Sequence, residues 1–345
     1  MRQYLKGLIP FFIFILANLG GCLCQGDGAS GVNGEPAQKI RAVWAWIDDT
    51  ANTPEQADKM LDRVVRGGFN TVLYFVGCGT VNYNSSLLPK SPHISPEYDS
   101  LAYVVEQGHV RGLKVQAWWC VGPMISSSSL RDKHPEWDIA AVEGIPDDFH
   151  WANFSLPEVR QFVGDVVLEI VENYEVDGIH LDYIRYPAPP PYNEVDPRKF
   201  FGPDDVPATV QSIYQRVTAI KPDVQVTAAV MAGQGGSANH LQNWADWLKG
   251  EYIDYVMPMA YFSPDENDRL EQYLREWKAL PHFKRIVPGL SVEAGFESKI
   301  PKTPEQLITQ IEICQEGGAR SITIFSEYSI TEDFLDALAS GPFSP

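Results

Sequence analysis

The feature that most constrains the fold is a repeated alternation between β-rich apolar runs and helix-length amphipathic segments, which begins at Ile40 and continues almost to the C-terminus. The β-rich runs are roughly five to eight residues long and heavy in Val, Ile and aromatic residues, as in strands buried on both faces. The predicted strands cover residues 42–47, 71–76, 114–120, 178–183, 225–231, 252–259, 286–291 and 321–325.

Helix start signals lie between the predicted strands. Residues 53–56 and 303–306 read Thr-Pro-Glu-Gln, with Thr at the N-cap, Pro at the first helical position and Gln placed to close a capping box. Residues 155–158 and 329–332 predict the same kind of capping box, with Ser in the first position and Glu in the fourth. The glycines expected to end helices are Gly67-Gly68, Gly112 and Gly317-Gly318.

Eight successive β–α units predict a closed (β/α)8 TIM barrel, a single domain over residues 40–341. The competing open, doubly wound sheet would carry a glycine-rich phosphate loop after its first strand. Residues 46–50 read Trp-Ile-Asp-Asp-Thr and contain no glycine, which favours the barrel.

The N-terminus reads as an export signal. Arg2 and Lys6 precede an apolar run over residues 8–17, and the sequence Leu-Gly-Gly-Cys ending at Cys22 resembles a bacterial lipobox. We expect residues 1–21 to be a lipoprotein signal peptide, Cys22 to be lipidated, and residues 22–39 to form a flexible tether. The alternative is ordinary signal cleavage. The prediction is an exported protein that touches a bacterial membrane only through its lipid anchor.

Net charge and cysteine content limit the classes of partner and cofactor that we expect. The chain has 45 acidic and 27 basic residues, a net charge of −18 that disfavours nucleic acid and anionic lipid. No CxxC, HxH or HExxH pattern occurs, so neither a metal site nor a cofactor is predicted. Cys78 and Cys120 end neighbouring predicted strands and are either a disulfide or two separate buried thiols. We expect a monomer whose partner is a polysaccharide or oligosaccharide.

The densest chemical signal is the segment 177–187, Asp-Gly-Ile-His-Leu-Asp-Tyr-Ile-Arg-Tyr-Pro. Strand alternation directs Ile179 and Leu181 outward, and His180 and Asp182 into the barrel. Asp182 is therefore predicted at the carboxyl end of strand four, where a buried carboxylate must be hydrogen-bonded or used in chemistry. His180 is expected to orient it and Arg185 to hold it ionised. The alternative is a purely structural Asp in a salt bridge.

This segment resembles the hallmark of the glycosyl-hydrolase-like family 10 barrels of bacterial envelopes. The resemblance implies a barrel with the strand-four carboxylate at its centre and cell-wall or exopolysaccharide glycans as substrates. Two stretches that line the site depart from the family pattern, at residues 75–77 and 120–123. Further matching segments are residues 41–44, 68–72, 98–101, 109–113, 116–119, 157–160 and 254–261.

A more distant likeness is to the family 18 chitinase motif DGIDIDWE, accompanied by a Met-x-Tyr at residues 259–261. Ile184 stands where those chitinases carry their acid glutamate. The likeness therefore excludes substrate-assisted chemistry that uses that acid.

The leading prediction is a glycoside hydrolase, which needs two carboxyl groups separated by about 5 to 9.5 Å. Asp182 is one, and Glu327 or Glu293, each near the end of a strand, is the other candidate. The alternative is a non-catalytic carbohydrate-binding lipoprotein on the same barrel; metal-assisted hydrolysis is a third reading. The predicted substrate-binding residues are Trp44, Asp48, Trp118, His180, Tyr183, Arg185 and Tyr261.

Overall fold

A computed structural model describes residues 39–46, 51–295 and 300–344. Eight parallel strands, each paired with its neighbours in chain order, close into a barrel. The predicted (β/α)8 fold is confirmed. The strands are β1 Arg41–Ala45, β2 Thr71–Gly77, β3 Lys114–Cys120, β4 Gly178–Asp182, β5 Gln225–Met231, β6 Tyr255–Met259, β7 Gly289–Ser291 and β8 Ile322–Phe325.

Helices connect consecutive strands on the outside of the barrel. They are α1 Pro54–Arg66, α2 Ser100–Val110, α3 Ser128–Lys133, α4 Pro157–Asn173, α5 Asp205–Ile220, α6 Gln234–Asn239, α7 Trp244–Lys249, α8 Asn267–Lys278, α9 Pro304–Glu316 and α10 Glu332–Ser340. Short 3-10 turns occupy several connections, most of them in the loops that follow strands.

Two of the four predicted capping boxes form. Thr53 and Thr303 each accept a hydrogen bond from the backbone of a Gln whose side chain binds back, at the starts of α1 and α9. The prediction for α4 is wrong because Ser155 donates to the Asn153 side chain, 2.6 Å away, and Leu156 becomes the N-cap. Within the described residues Thr331 caps α10 through its backbone alone.

Proline shortens β7 relative to its predicted start at residue 286. Pro288 has no N–H to donate, so the ladder between β6 and β7 is reduced to the pair Met259 and Gly289, with an isolated bridge between Val256 and Ile286.

Strand alternation separates two apolar layers, as predicted for strand four. Ile179 and Leu181 belong to the layer packed under the helices, while Trp44 and Trp118 belong to the layer inside the barrel. The inner layer needs a residue without a side chain at Gly289, because a Cβ there would lie 2.9 Å from the Trp44 ring. Large aromatic side chains thus fill the barrel interior, and the glycine at position 289 leaves room for the Trp44 ring.

Lys302 is buried, and among the described residues no carboxylate accepts a hydrogen bond from its ammonium group. It is 3% exposed, and its ammonium donates to the Ser291 carbonyl and the Gln310 side chain, both at 2.7 Å. Burial lowers its pKa from 10.5 to about 8, with Cys314 and Glu266 acting in the opposite direction. The folded protein therefore releases this proton at a lower pH than the unfolded chain does.

We expect the free energy of unfolding to increase as pH rises from about 8 to about 10.5, because the unfolded chain then binds the extra proton. The full increase is about 3 kcal/mol. Lys302→Met should lose this contribution in denaturant unfolding measured across the same pH range. The exposed Lys249→Met is the matched control and should keep the wild-type slope. Parallel curves for Lys302→Met and wild type would contradict the assignment.

In the described part of the chain no helix has the length and apolar character needed to cross a membrane. The predicted signal peptide, Cys22 and all of the predicted tether before residue 39 lie outside the described residues.

Candidate active site

Asp182 ends β4 at the mouth of the barrel, 7% exposed. The Trp118 indole donates to its Oδ2 at 3.0 Å, and the Tyr183 backbone N–H donates to its Oδ1 at 2.6 Å. Tyr183 has φ 49°, a left-handed conformation that is costly for a side chain of its size and is found mainly where surrounding structure enforces it. The strained turn directs a backbone donor at the carboxylate.

Burial is the largest influence on Asp182 and raises the pKa of its carboxyl group. The two N–H donors and the positive charge of Arg185 act in the opposite direction and only partly offset it. The structure therefore keeps a carboxyl group at the mouth of the barrel that holds its proton to higher pH than an exposed Asp.

Arg185 lies close to this carboxyl group without forming an ion pair with it. Among the described residues no salt bridge joins the two; the guanidinium instead contacts the Tyr186 carbonyl at 3.2 Å and His240 Nδ1 at 3.1 Å. It also lies 4.8 Å from the centre of the Tyr183 ring. Its influence on Asp182 is a longer-range attraction, weaker than the predicted pairing. His240 was missed because its sequence context carries no motif.

His180 occupies the layer below Asp182 but does not orient it, so that prediction is wrong. The Trp44 indole, which can only donate, binds His180 Nε2 at 2.9 Å, so Nδ1 carries the proton and donates to the Thr227 hydroxyl at 2.9 Å. The Thr227 hydroxyl in turn donates a hydrogen bond to Gln116 Oε1 at 2.7 Å. Complete burial lowers the pKa of His180 to about 3. The neutral ring links strands inside the barrel.

Aromatic rings surround the entrance to Asp182. Trp46 stacks on Phe75 with 4.3 Å between ring centres, and its edge meets Trp118 at 5.3 Å. On the other side Tyr261 stacks on Phe325 at 5.2 Å. Such rings offer apolar faces for sugar rings beside a carboxyl group.

Three of these rings, Trp46, Phe75 and Phe325, were not among the predicted site residues. Strand alternation alone identifies Trp46, because it lies two positions beyond the inward-facing Trp44 and therefore faces the same way. The same count leads from the inward-facing Leu73 to Phe75.

Tyr261 is close enough to Asp182 for the two to interact electrostatically. Burial, together with the charge of Asp182, raises the pKa of the Tyr261 phenol well above its usual value of 10. The phenol thus stays protonated, as a substrate-positioning hydroxyl requires.

The two candidates for the second carboxyl group lie in different environments. Glu327 is 4% exposed and accepts from the Arg63 guanidinium of α1 at 2.7 Å, in an ion pair between the barrel and its helical layer. Glu293 is half-buried and accepts from the Ser329 hydroxyl at 3.3 Å. Asp48 lies outside the described residues.

A family model described as Glycosyl hydrolase-like 10 matches residues 39–202. The Bacillus subtilis protein named Glycosyl hydrolase YngK is 25% identical over 302 residues, which cover 71% of this chain and 58% of that protein. Glycosyl hydrolase DigH of Escherichia coli K12 is 24% identical over 290 residues, covering 70% of this chain and 66% of that protein. This chain thus spans less than two thirds of the length of either relative.

Solved glycoside hydrolase structures share the fold. Alpha-L-fucosidase isoenzyme 2 from Paenibacillus thiaminolyticus superposes with a TM-score of 0.62 at 16% identity, over 88% of this chain and 49% of that one. The glycoside hydrolase domain of PgaB (BpsB) from Bordetella bronchiseptica gives 0.59 at 16% identity, over 88% and 98%. The family match covers residues 39–202, which include Asp182, and confirms the resemblance predicted from the strand-four motif.

Proposed function

We propose that this protein is a glycoside hydrolase that cleaves a bacterial envelope or extracellular polysaccharide, with Asp182 as one of its two catalytic carboxyl groups. The observation that carries the proposal is the environment of Asp182: a carboxyl group 7% exposed, at the carboxyl end of a barrel strand, beside aromatic rings. Catalytic groups in TIM barrels come from these strand ends. Export and anchoring through Cys22 would bring the enzyme to such glycans.

We assign Asp182 the role of general acid. Its raised pKa increases the protonated fraction at a given pH, as a group that protonates the glycosidic oxygen requires. The mechanism then needs a second carboxylate on the other side of the scissile bond. Glu293 suits this role better than Glu327, because it follows β7 and takes part in no ion pair among the described residues, whereas Glu327 is engaged by Arg63.

Two exposed tyrosines support a polymeric substrate. Tyr192, in the loop after β4, is 76% exposed, and Tyr328, in the turn after β8, is 70% exposed. These strands are four apart in a ring of eight, so their loops rise from opposite sides of the mouth. A strand spacing of about 4.8 Å and a tilt of about 36° give a barrel about 15 Å across. One sugar ring is too small to reach both tyrosines, whereas a glycan chain laid across the mouth can.

Tyr192→Ala and Tyr328→Ala should each raise KM for the polysaccharide roughly 3- to 10-fold, the loss expected for one aromatic stacking contact. Turnover of the shortest hydrolysed oligosaccharide should stay at the wild-type rate. Steady-state kinetics on both substrates provide the comparison. Val110→Ala is the matched control, since Val110 is 74% exposed but ends α2 at the opposite end of the barrel. Equal effects on long and short substrates would refute the two tyrosine subsites.

The function itself is tested by incubating the purified protein with a glycan panel that includes de-N-acetylated and peptide-free cell-wall strands. New reducing ends, generated by wild type and not by Asp182→Asn, are expected. Retention of a glycan by both proteins with no product from either would favour the alternative, a carbohydrate-binding lipoprotein. The engagement of Glu327 by Arg63 is the observation that favours this alternative, because it removes one candidate acid.

A further inference from the structure

Two cysteines lie near Asp182, where two consecutive strands end: Cys120 is the last residue of β3, and Cys78 directly follows β2. Cys120, the last residue of β3, is the register partner of Asp182 on β4. Gly77 on β2 pairs with Trp119 on β3, which places Cys78 beside Cys120. Cys78, Cys120 and Asp182 therefore form a row across the mouth of the barrel.

An irregularity in β2 turns both thiols the same way. Phe75 pairs with Trp118, but the next pair joins Gly77 to Trp119, so β2 carries one extra residue. Without that residue Gly77 would align with Cys120. With the extra residue, Cys78 follows Gly77 as Cys120 follows Trp119, so the two cysteines are next to each other. Aligned residues on neighbouring parallel strands point to the same face. Cys120 has the parity of Trp118, which faces the barrel interior.

Both thiols are free, and they touch. Cys120 is buried and Cys78 is half-buried, so an external reagent reaches Cys78 first. The contact with Cys78, burial and the charge of Asp182 all raise the pKa of the Cys120 thiol. Cys120 thus acts as the protonated, protected member of the pair.

We propose that Cys78 and Cys120 form a thiol modification site at the mouth of the barrel. A low-molecular-weight disulfide oxidises the pair to an intramolecular disulfide. Cys78, as thiolate, attacks one sulfur of the external disulfide and releases the other half as a thiolate. Cys120 gives its proton to that thiolate and attacks the Cys78 sulfur, which releases the second half as a thiolate. Two cysteines are oxidised and one external disulfide is reduced. The strand spacing of about 4.8 Å lies within the Cα separation of about 4.4–6.8 Å that a disulfide spans.

Closing this site should slow catalysis, a consequence that rests on the proposed function. The residue after Cys120, Val121, donates its N–H to the Asp182 carbonyl at 2.8 Å, so β3 directly supports the catalytic strand end. Forming the bond brings the two sulfurs to about 2.05 Å and shifts Cys120, and displacements of about 1 Å at a reacting group cost up to about 100-fold in rate.

The chemistry is tested on the full-length, reduced protein treated with oxidised glutathione, then denatured, alkylated without reductant and digested. The peptides carrying Cys78 and Cys120 should lose alkylation together and appear as one disulfide-linked pair. Cys314, which is completely buried in α9, is the internal control and should be alkylated in full. Alkylation of both Cys78 and Cys120, or a lasting glutathione adduct on Cys78 beside an alkylated Cys120, would overturn the proposal.

Function and stability give a second readout. Oxidation should raise the melting temperature by several degrees and lower glycan hydrolysis at least threefold, and dithiothreitol should reverse both. Cys78→Ser and Cys120→Ser should each abolish the response, whereas Cys314→Ala should retain it. A bridged protein with an unchanged rate would refute the effect on the site. The peptide analysis needs no substrate, so its failure is distinct from failure of the proposed hydrolase activity.

Discussion

Asp182→Asn is expected to lower glycan hydrolysis by at least 100-fold while the protein stays folded. The amide cannot act as an acid, and general acid catalysis typically contributes 10²- to 10⁴-fold. Asn keeps one oxygen acceptor but turns an N–H₂ toward either Trp118 or Tyr183. Removing the buried charge compensates in part, so the melting temperature should move by only a few degrees. The measurements are kcat/KM on the hydrolysed glycan and thermal unfolding of the same preparation.

Asp177→Asn is the matched control. Asp177 precedes β4, at the far end of the strand, where it binds His109 and the Val115 N–H. That variant should lose stability and keep its rate per folded molecule. Aryl glycosides with acidic leaving groups test the acid role further, because they need little protonation and Asp182→Asn should cleave them with a much smaller loss. An Asp182→Asn rate within about fivefold of wild type on the natural glycan would end the catalytic assignment.

Glu293→Gln and Glu327→Gln should have opposite effects. If Glu293 is the second catalytic carboxylate, its amide variant should lose at least 100-fold in rate with little change in melting temperature. Glu327→Gln removes the buried one of the two carboxylates that pair with the Arg63 guanidinium and leaves the exposed Glu332. Because the Arg63 side chain is 22% exposed and partly solvated, we expect a loss of about 2 kcal/mol, or roughly 3 °C for a domain of this size. Its rate per folded molecule should match wild type.

Thermal unfolding and kcat/KM of the two variants decide between the candidates. An inactive Glu327→Gln protein of normal stability would transfer the catalytic role to Glu327. A Glu293→Gln protein with wild-type rates would remove Glu293 from the mechanism. Glu332→Gln is a suitable control for the charge change, since Glu332 also pairs with Arg63 and its side chain is 55% exposed.

Strand alternation was the reliable part of the prediction. It placed Asp182 at a strand end and Trp118 inside the barrel, and both positions are found. It failed to name the partners of His180, since alternation gives the direction of a side chain but not what it meets there. Trp44, which binds His180, lies 136 residues away in the chain.

The sequence by itself determined the closed barrel, the inward and outward faces of its strands, and the position of the strand-four carboxylate. These follow from the period of the hydrophobic pattern and from helix-capping residues, which are local properties of the chain. Only the tertiary structure decided that Arg63 engages Glu327 across 264 residues and that an extra residue in β2 aligns Cys78 with Cys120. Both depend on how strands and helices distant in the chain come into register when the barrel closes, which no local periodicity encodes.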